Sequence, residues 1–184
     1  MILLKTKQLQ KQNEAFLIEM RKQDPHFFER LKEGQQPEMF VLACSDSRVS
    51  PSVITQMPLG QLFIHRNIAN QVNPSDESFT ASLYYALKHL KVNDVLILGH
   101  TSCGGVKAAA EGNQEAELIP WLQSVRQSIE GVQCTDLCVS GSRQNVKTQM
   151  ERLKKHPVYE QYGDGVGVQG AIFHVENGEI EWIN

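Results

Sequence analysis

The sequence has no apolar run of the roughly 20 residues that a membrane-spanning helix needs. It has no dense block of Lys and Arg either. Its 18 basic and 21 acidic residues leave a net charge of −3, so nothing electrostatic points to a nucleic-acid partner. Met1-Ile2-Leu3-Leu4 is too short for the apolar region of a secretory signal and runs into a polar, helix-like segment. The expectation is a cytoplasmic protein with no nucleic-acid and no membrane partner. Cysteine is scarce, four in 184 residues (Cys44, Cys103, Cys134 and Cys138). In an intracellular chain that argues against a disulfide frame and for metal binding or plain core packing. No repeat, low-complexity segment or linker divides the chain, so residues 1–184 read as one domain, long enough to bury a core.

What is present alternates between strand and helix patterns. Residues 1–34 form a helical arm in two pieces around Pro25, with Phe16, Met20, Phe27 and Phe28 as bulky apolar positions that pack on the chain's own core or on a second subunit. Met39-Phe40-Val41-Leu42-Ala43 and Val95-Leu96-Ile97-Leu98 are short continuous apolar runs, the mark of strands buried on both faces. The second run ends at Gly99. Gln61 to His65 is a third strand, and residues 76–91 form a helix with Ser75 or Asp76 as its N-cap. Helical patterns follow at 106–110, 118–129 and 145–155, the last stopped by Pro157; residues 132–142 fit a strand or the front of that last helix. Asn177-Gly178 between two apolar runs predicts a hairpin. The expected fold is α/β, a mainly parallel sheet flanked by helices with an antiparallel C-terminal edge strand.

Polar residues able to bind metal follow both buried runs. Cys44-Ser45-Asp46-Ser47-Arg48 follows the first, and His100-Thr101-Ser102-Cys103-Gly104-Gly105 the second. Sites in open α/β sheets form beyond the carboxyl ends of strands. Two thiolates and an imidazole suit zinc and leave a fourth tetrahedral position open. A His-x-x-Cys alone is a common coincidence, and a buried cysteine is often only a small hydrophobe. Asp46 and Arg48 shift the balance toward chemistry. Two thiolates cancel the metal's charge, so a nearby acceptor that orients a zinc-bound hydroxide is useful, and Arg48 can hold that acceptor ionised. An Asp-Arg pair that merely closes a loop is the alternative.

Cys-Ser-Asp-Ser-Arg (44–48), His-Arg-Asn-Ile-Ala-Asn (65–70) and Gly-His-Thr-Ser-Cys-Gly-Gly (99–105) resemble the β-class carbonic anhydrases. The likeness runs from about Gln35 to Lys107 and resumes more weakly at Asn145-Val146 and the 170–178 hairpin. It implies one zinc per subunit held by Cys44, His100 and Cys103, with Asp46 and Arg48 as catalytic dyad. The implied reaction is reversible hydration of carbon dioxide to bicarbonate by attack of zinc-bound hydroxide. It further implies Gln35, Phe63, Ile68, Tyr85 and Gly104 around the substrate, and a homodimer or higher even oligomer such as a tetramer, with pockets shared between chains. Family members that close the site with their Asp use a Trp, an Arg and a Tyr that correspond here to Val41, Arg66 and Phe173. Two of these are missing, and Gln35 matches the plant-like branch, so an open site without a bicarbonate switch is expected. Hydrolysis of carbonyl sulfide or carbon disulfide, and a non-catalytic zinc or thiol module, are the competing readings. Cys134 and Cys138 are expected as core or surface thiols. His65, His89, His156 and His174 are expected to be structural or solvated, His174 standing where the family carries an acidic residue.

Overall fold

Unbroken apolar runs suit strands covered on both faces. The computed structural model of the chain, which describes residues 2–132 and 139–183, builds its sheet from them. Met39–Cys44 (β1), Leu62–Asn67 (β2), Asp94–His100 (β3) and Gly167–Phe173 (β4) run parallel, and Ile180–Ile183 (β5) closes the edge antiparallel to β4. The order is β2-β1-β3-β4-β5. The winding therefore reverses between β1 and β3, and loops that diverge at such a point leave a crevice beyond the strand ends. Ala43 pairs with Leu98, and Cys44 with Asn67, so β1, β2 and β3 deliver Cys44, Asn67 and His100 to the same end of the sheet.

Side chains alternate across the strands. Phe40, Leu42, Val95, Ile97 and Ile172 join one core cluster with Phe79, Leu83, Val146 and Leu153 from the helices. Val41, Ala43, Leu96, Leu98, Ala171 and Phe173 join another with Val49. The helices are Pro51–Ile54 (α3), Glu77–Tyr84 (α4), Gly104–Ala110 (α5), Ile119–Ser128 (α6), Val139–Lys154 (α7) and Pro157–Tyr162 (α8). Asp76 caps α4 by accepting the N–H groups of Ser78 and Phe79. After Tyr84 the helix widens into a π-helical stretch, Tyr85–Leu90, and stops at Lys91 in the left-handed region (φ 54°).

Several boundaries differ from the expected ones for local reasons. Gly99 does not end its strand; β3 continues to His100. A Cβ on Gly99 would lie 2.6 Å from Val146 Cγ2, so the glycine serves the close approach of α7. β2 runs two residues past His65 because it pairs with β1 as far as Cys44. Pro157 stops α7 and also starts α8, with His156 accepting the Val158 N–H at 3.2 Å. The ambiguous 132–142 stretch is helical from Val139 onward, and Cys134 and Cys138 lie outside the described residues.

The chain divides into two compact units, Met1–Gln35 and Gln36–Asn184. The first unit contains Ile2–Gln23 (α1) and Phe27–Lys32 (α2). At the turn between them Asp24 accepts the His26 N–H and pairs with Arg30. Phe28 packs edge-on against Phe16 (6.2 Å between ring centroids) and Phe27 (5.2 Å), while Leu9 and Ile18 are 71% and 70% exposed. No helix among the described residues is long and apolar enough to cross a membrane.

Candidate metal centre

Cys44 ends β1, His100 ends β3, and Cys103 occupies the N-cap position of α5 three residues later. Their ligand atoms all lie within 4.8 Å of one another, and all three residues are buried. The two sulfurs are 4.0 Å apart, and two thiolates on one tetrahedral zinc sit about 3.8 Å apart. His100 Nδ1 donates to the Thr101 carbonyl oxygen at 2.8 Å, which leaves a lone pair on Nε2. That Nε2 is buried without a hydrogen-bond partner. An orphaned imidazole nitrogen beside two sulfurs is costly unless something binds it, and the donor set suits zinc. Contact with the Cys103 thiol draws Cys44 down to about 4, helped by His100 and by the backbone N–H groups of Asp46 and Ala69. The same contact, with burial, pushes Cys103 up, against the pull of the Val106 and Gly105 N–H groups at the start of α5.

The loop after β1 places Asp46 beside this point. Arg48 donates Nε to Asp46 Oδ1 at 3.0 Å and Nη2 to Oδ2 at 2.8 Å, and its backbone N–H reaches Oδ1 at 2.9 Å. The Arg48 side chain is the main cause that holds the Asp46 carboxyl well below the usual carboxylate range. Asp46 Oδ2 stands 3.9 Å from His100 Nε2. Arg48 Nη2 also donates to the Ser102 carbonyl at 3.1 Å, so the loops carrying the two cysteines are tied together, and Ser102 takes a left-handed φ of 54°. Arg66 braces the first loop by donating to the carbonyls of Cys44 (2.9 Å) and Asp46 (2.7 Å).

A second ring of polar groups supports His100. Thr101 accepts the Val175 N–H at 3.0 Å and donates its hydroxyl to Glu176 Oε2 at 2.6 Å. His174 bridges Glu176 and Glu181, and Arg143 holds Glu181 through two bonds. The carboxylates of Glu181 and Glu176 raise the His174 pKa, and the Thr101 hydroxyl is the main cause that lowers Glu176 to about 2. The two acids on either side thus favour the protonated form of the hairpin histidine. Thr101 and Glu176 carry no motif of their own; only the 75-residue contact reveals them.

The expected pocket residues fall into separate groups. Phe63 and Tyr85 pack together (5.8 Å between centroids), with Phe40 also against Phe63 (6.0 Å). Ile68 lies against the start of α5, where a Cβ on Gly105 would meet its Cγ2 at 2.6 Å; a Cβ on Gly104 would meet nothing within 4 Å. Gly105, rather than Gly104, is the glycine required by close packing. Gln35 is an exposed residue at the end of the N-terminal unit.

The sequence pattern of the carbonic anhydrase family matches residues 39–180, which include the three ligand candidates and the Asp46–Arg48 pair. A carbonic anhydrase of Emericella nidulans is 42% identical over 114 residues, covering 62% of this chain and 50% of that protein. One of Synechococcus elongatus is 34% identical over 169 residues, covering 83% and 62%. The chain thus spans about half to two thirds of the length of these curated relatives. A solved β-carbonic anhydrase of Sordaria macrospora, one of two described as tetrameric, superposes with a TM-score of 0.90 at 30% identity, covering 98% of this chain and 97% of that one. A Cys-His-Cys cluster at a β1/β3 switch point, within a matched segment that takes in most of the chain, makes this protein a member of the β-class carbonic anhydrase family.

Proposed function

We propose that the protein catalyses the reversible hydration of carbon dioxide to bicarbonate and a proton, with one zinc ion per subunit held by Cys44, His100 and Cys103. The observation that carries this reading is the buried, unpartnered His100 Nε2 facing two sulfurs, with a carboxylate fixed 3.9 Å away. Held by Cys44, His100 and Cys103, zinc would supply the Lewis acidity that lets water attack near neutral pH. Asp46 accepts a hydrogen bond from the attacking oxygen and so turns a lone pair toward the carbon of the substrate. Arg48 keeps that carboxylate ionised and aimed. Phe63, Ile68, Tyr85 and Gly104 are the residues proposed to border the uncharged substrate.

Asp46 stays with Arg48 rather than closing the site, and Val41 and Phe173 stand where closing members have Trp and Tyr. The working unit is a homodimer or a tetramer. The exposed Leu9 and Ile18 of the arm support this, as does an apolar groove of about 250 Å³ lined in part by Met39, Met57, Leu62, Leu96 and the half-exposed Trp182. The protein works in the cytoplasm, where thiols this close remain reduced ligands. Zinc content measured alongside carbon dioxide hydration from about pH 6.5 to 9 tests the reading around zinc-water ionisation. Zinc-loaded protein with no hydration activity would sink it, and carbonyl sulfide and carbon disulfide assayed in parallel decide the substrate.

A further inference from the structure

The Cys44 sulfur accepts a hydrogen bond from the Ala69 N–H at 3.4 Å, and much of the surrounding fold holds that donor in place. Ala69 is left-handed (φ 59°, ψ 30°) and Asn70 follows it there (φ 46°), a conformation disfavoured for residues with a Cβ. Gly105 leaves room for it, since a Cβ there would lie 3.2 Å from that of Ala69. Four carbonyls around the turn are taken. Asn67 O accepts the Ser45 N–H, Ile68 O accepts Trp121 Nε1, and Gln71 O accepts Asn67 Nδ2. Ala69 O receives two amide donors, Gln71 Nε2 at 2.8 Å and Asn145 Nδ2 at 3.0 Å. The Asn145 orientation is set by its neighbours: Gln71 Nε2, which also faces the Ala69 carbonyl, and Gln149 Nε2, whose Oε1 accepts the Val72 N–H, both donate to Oδ1, which leaves Nδ2 to face Ala69. Gln71 and Asn145 are 0% and 1% exposed, a large outlay of buried polar groups on one peptide.

We infer that Asn145 and Gln71 are positioning residues of the metal centre: by clamping the Ala69 carbonyl, on the peptide after the donor, they hold Ala69 in its left-handed conformation and so keep the preceding N–H on Cys44 Sγ, which draws electron density from that ligand. The inference rests on zinc binding at Cys44, His100 and Cys103. An N–H bound to a metal thiolate weakens the sulfur's electron donation and fixes its direction, and loss of such partners costs about 10- to 100-fold in metal affinity. A cluster that only satisfied its own amides would leave the metal–sulfur bond untouched.

The test uses full-length protein loaded with cobalt in place of zinc. Asn145→Ala removes one clamp; Asn145→Ala with Ala69→Gly removes it while relieving the left-handed alanine, which preserves folding. In either folded variant the sulfur-to-cobalt charge-transfer band moves to lower energy, and the zinc dissociation constant from chelator competition rises at least tenfold. A folded variant with both readings at wild-type values overturns the inference. Wild-type protein loaded with NMR-active cadmium gives an answer that needs no variant. Scalar coupling between the metal and the Ala69 amide proton is expected, and its absence beside clear coupling to the Cys44 β-protons overturns the hydrogen bond. Absence of any sulfur–metal band in wild-type protein would instead overturn the metal centre itself.

Discussion

Arg48 grips both carboxylate oxygens of Asp46 and, with the same Nη2, the carbonyl of Ser102 one residue before the second cysteine. One guanidinium therefore sets the aim of the Asp46 carboxylate and the separation of the two loops that carry the candidate ligands. The planar fork matters here, because a lysine offers no two parallel donors.

Arg48→Lys is expected to lower kcat for carbon dioxide hydration by about 10- to 100-fold, the scale of a slightly misplaced catalytic group. Zinc content stays near one per subunit. The loss does not come from protonation of Asp46, whose ordinary pKa of 3.8 already lies far below the assay range. It should therefore persist across neutral and alkaline pH. A loss that disappears on raising the pH would contradict this, and stopped-flow rates from about pH 7 to 9 decide.

Metal removal should act through His100 and Cys103 together. A chelator strong enough to strip zinc abolishes hydration, and added zinc restores it. His100→Ala and Cys103→Ser each leave a folded protein with substoichiometric zinc, because two ligands hold the ion far less well than three. Metal analysis with circular dichroism checks both halves of the statement.

Glu176 reaches the site through Thr101, whose carbonyl accepts the His100 Nδ1–H. Glu176→Gln keeps a weaker acceptor and should cost less than Glu176→Ala, for which about a tenfold loss of zinc affinity is expected. The ordering of the two variants in chelator competition is the informative result.

The His174 bridge carries its own pH signature. His174 is raised above 6.5 by Glu181 and Glu176, and both carboxylates are lowered below 4.5. A raised histidine contributes stability that is complete below its unfolded value and fades as pH rises through its folded value. Lowered carboxylates contribute stability present above about 4.5 and lost as pH falls through their folded values. The gap in Tm between wild type and His174→Ala should thus be widest between the two ranges, near pH 5.5 to 6, and narrow on the alkaline side. Equal gaps at pH 6 and 9 would show that the bridge contributes no charge.

Much of this architecture was legible because it follows from continuous patterns. β1 and β3 are apolar on both faces and read as buried strands, and Asn177-Gly178 announced the hairpin. The candidate ligands were legible because they stand at the carboxyl ends of those strands or just beyond. The supporting shell was not. Ala69 takes a left-handed conformation against its own propensity, Pro157 reads as a stop although it also opens a helix, and the widened turn after Tyr84 has no sequence marker. Thr101–Glu176 and Gln71–Asn145 are pairs distant in the chain, and each member alone is an ordinary polar residue.

The adjacent glycines of α5 separate packing from substrate space. A Cβ on Gly105 would stand 2.6 Å from Ile68 Cγ2 and 3.2 Å from the Ala69 Cβ, so Gly105→Ala must displace the turn that donates to Cys44. Alanine favours helix over glycine by about 1 kcal/mol, but overpacking costs about 1–3 kcal/mol, and the clash with Ile68 and buried Ala69 should win. Gly105→Ala is therefore expected to lower stability and reduce zinc affinity together. Gly104→Ala meets nothing within 4 Å and should be neutral or slightly stabilising in urea unfolding. If Gly104 borders the substrate, its variant alone will lose kcat/KM with stability and zinc content intact. A Gly104→Ala enzyme with full activity would remove that residue from the substrate-binding set and leave Ile68 and the Phe63–Tyr85 pair to define the pocket.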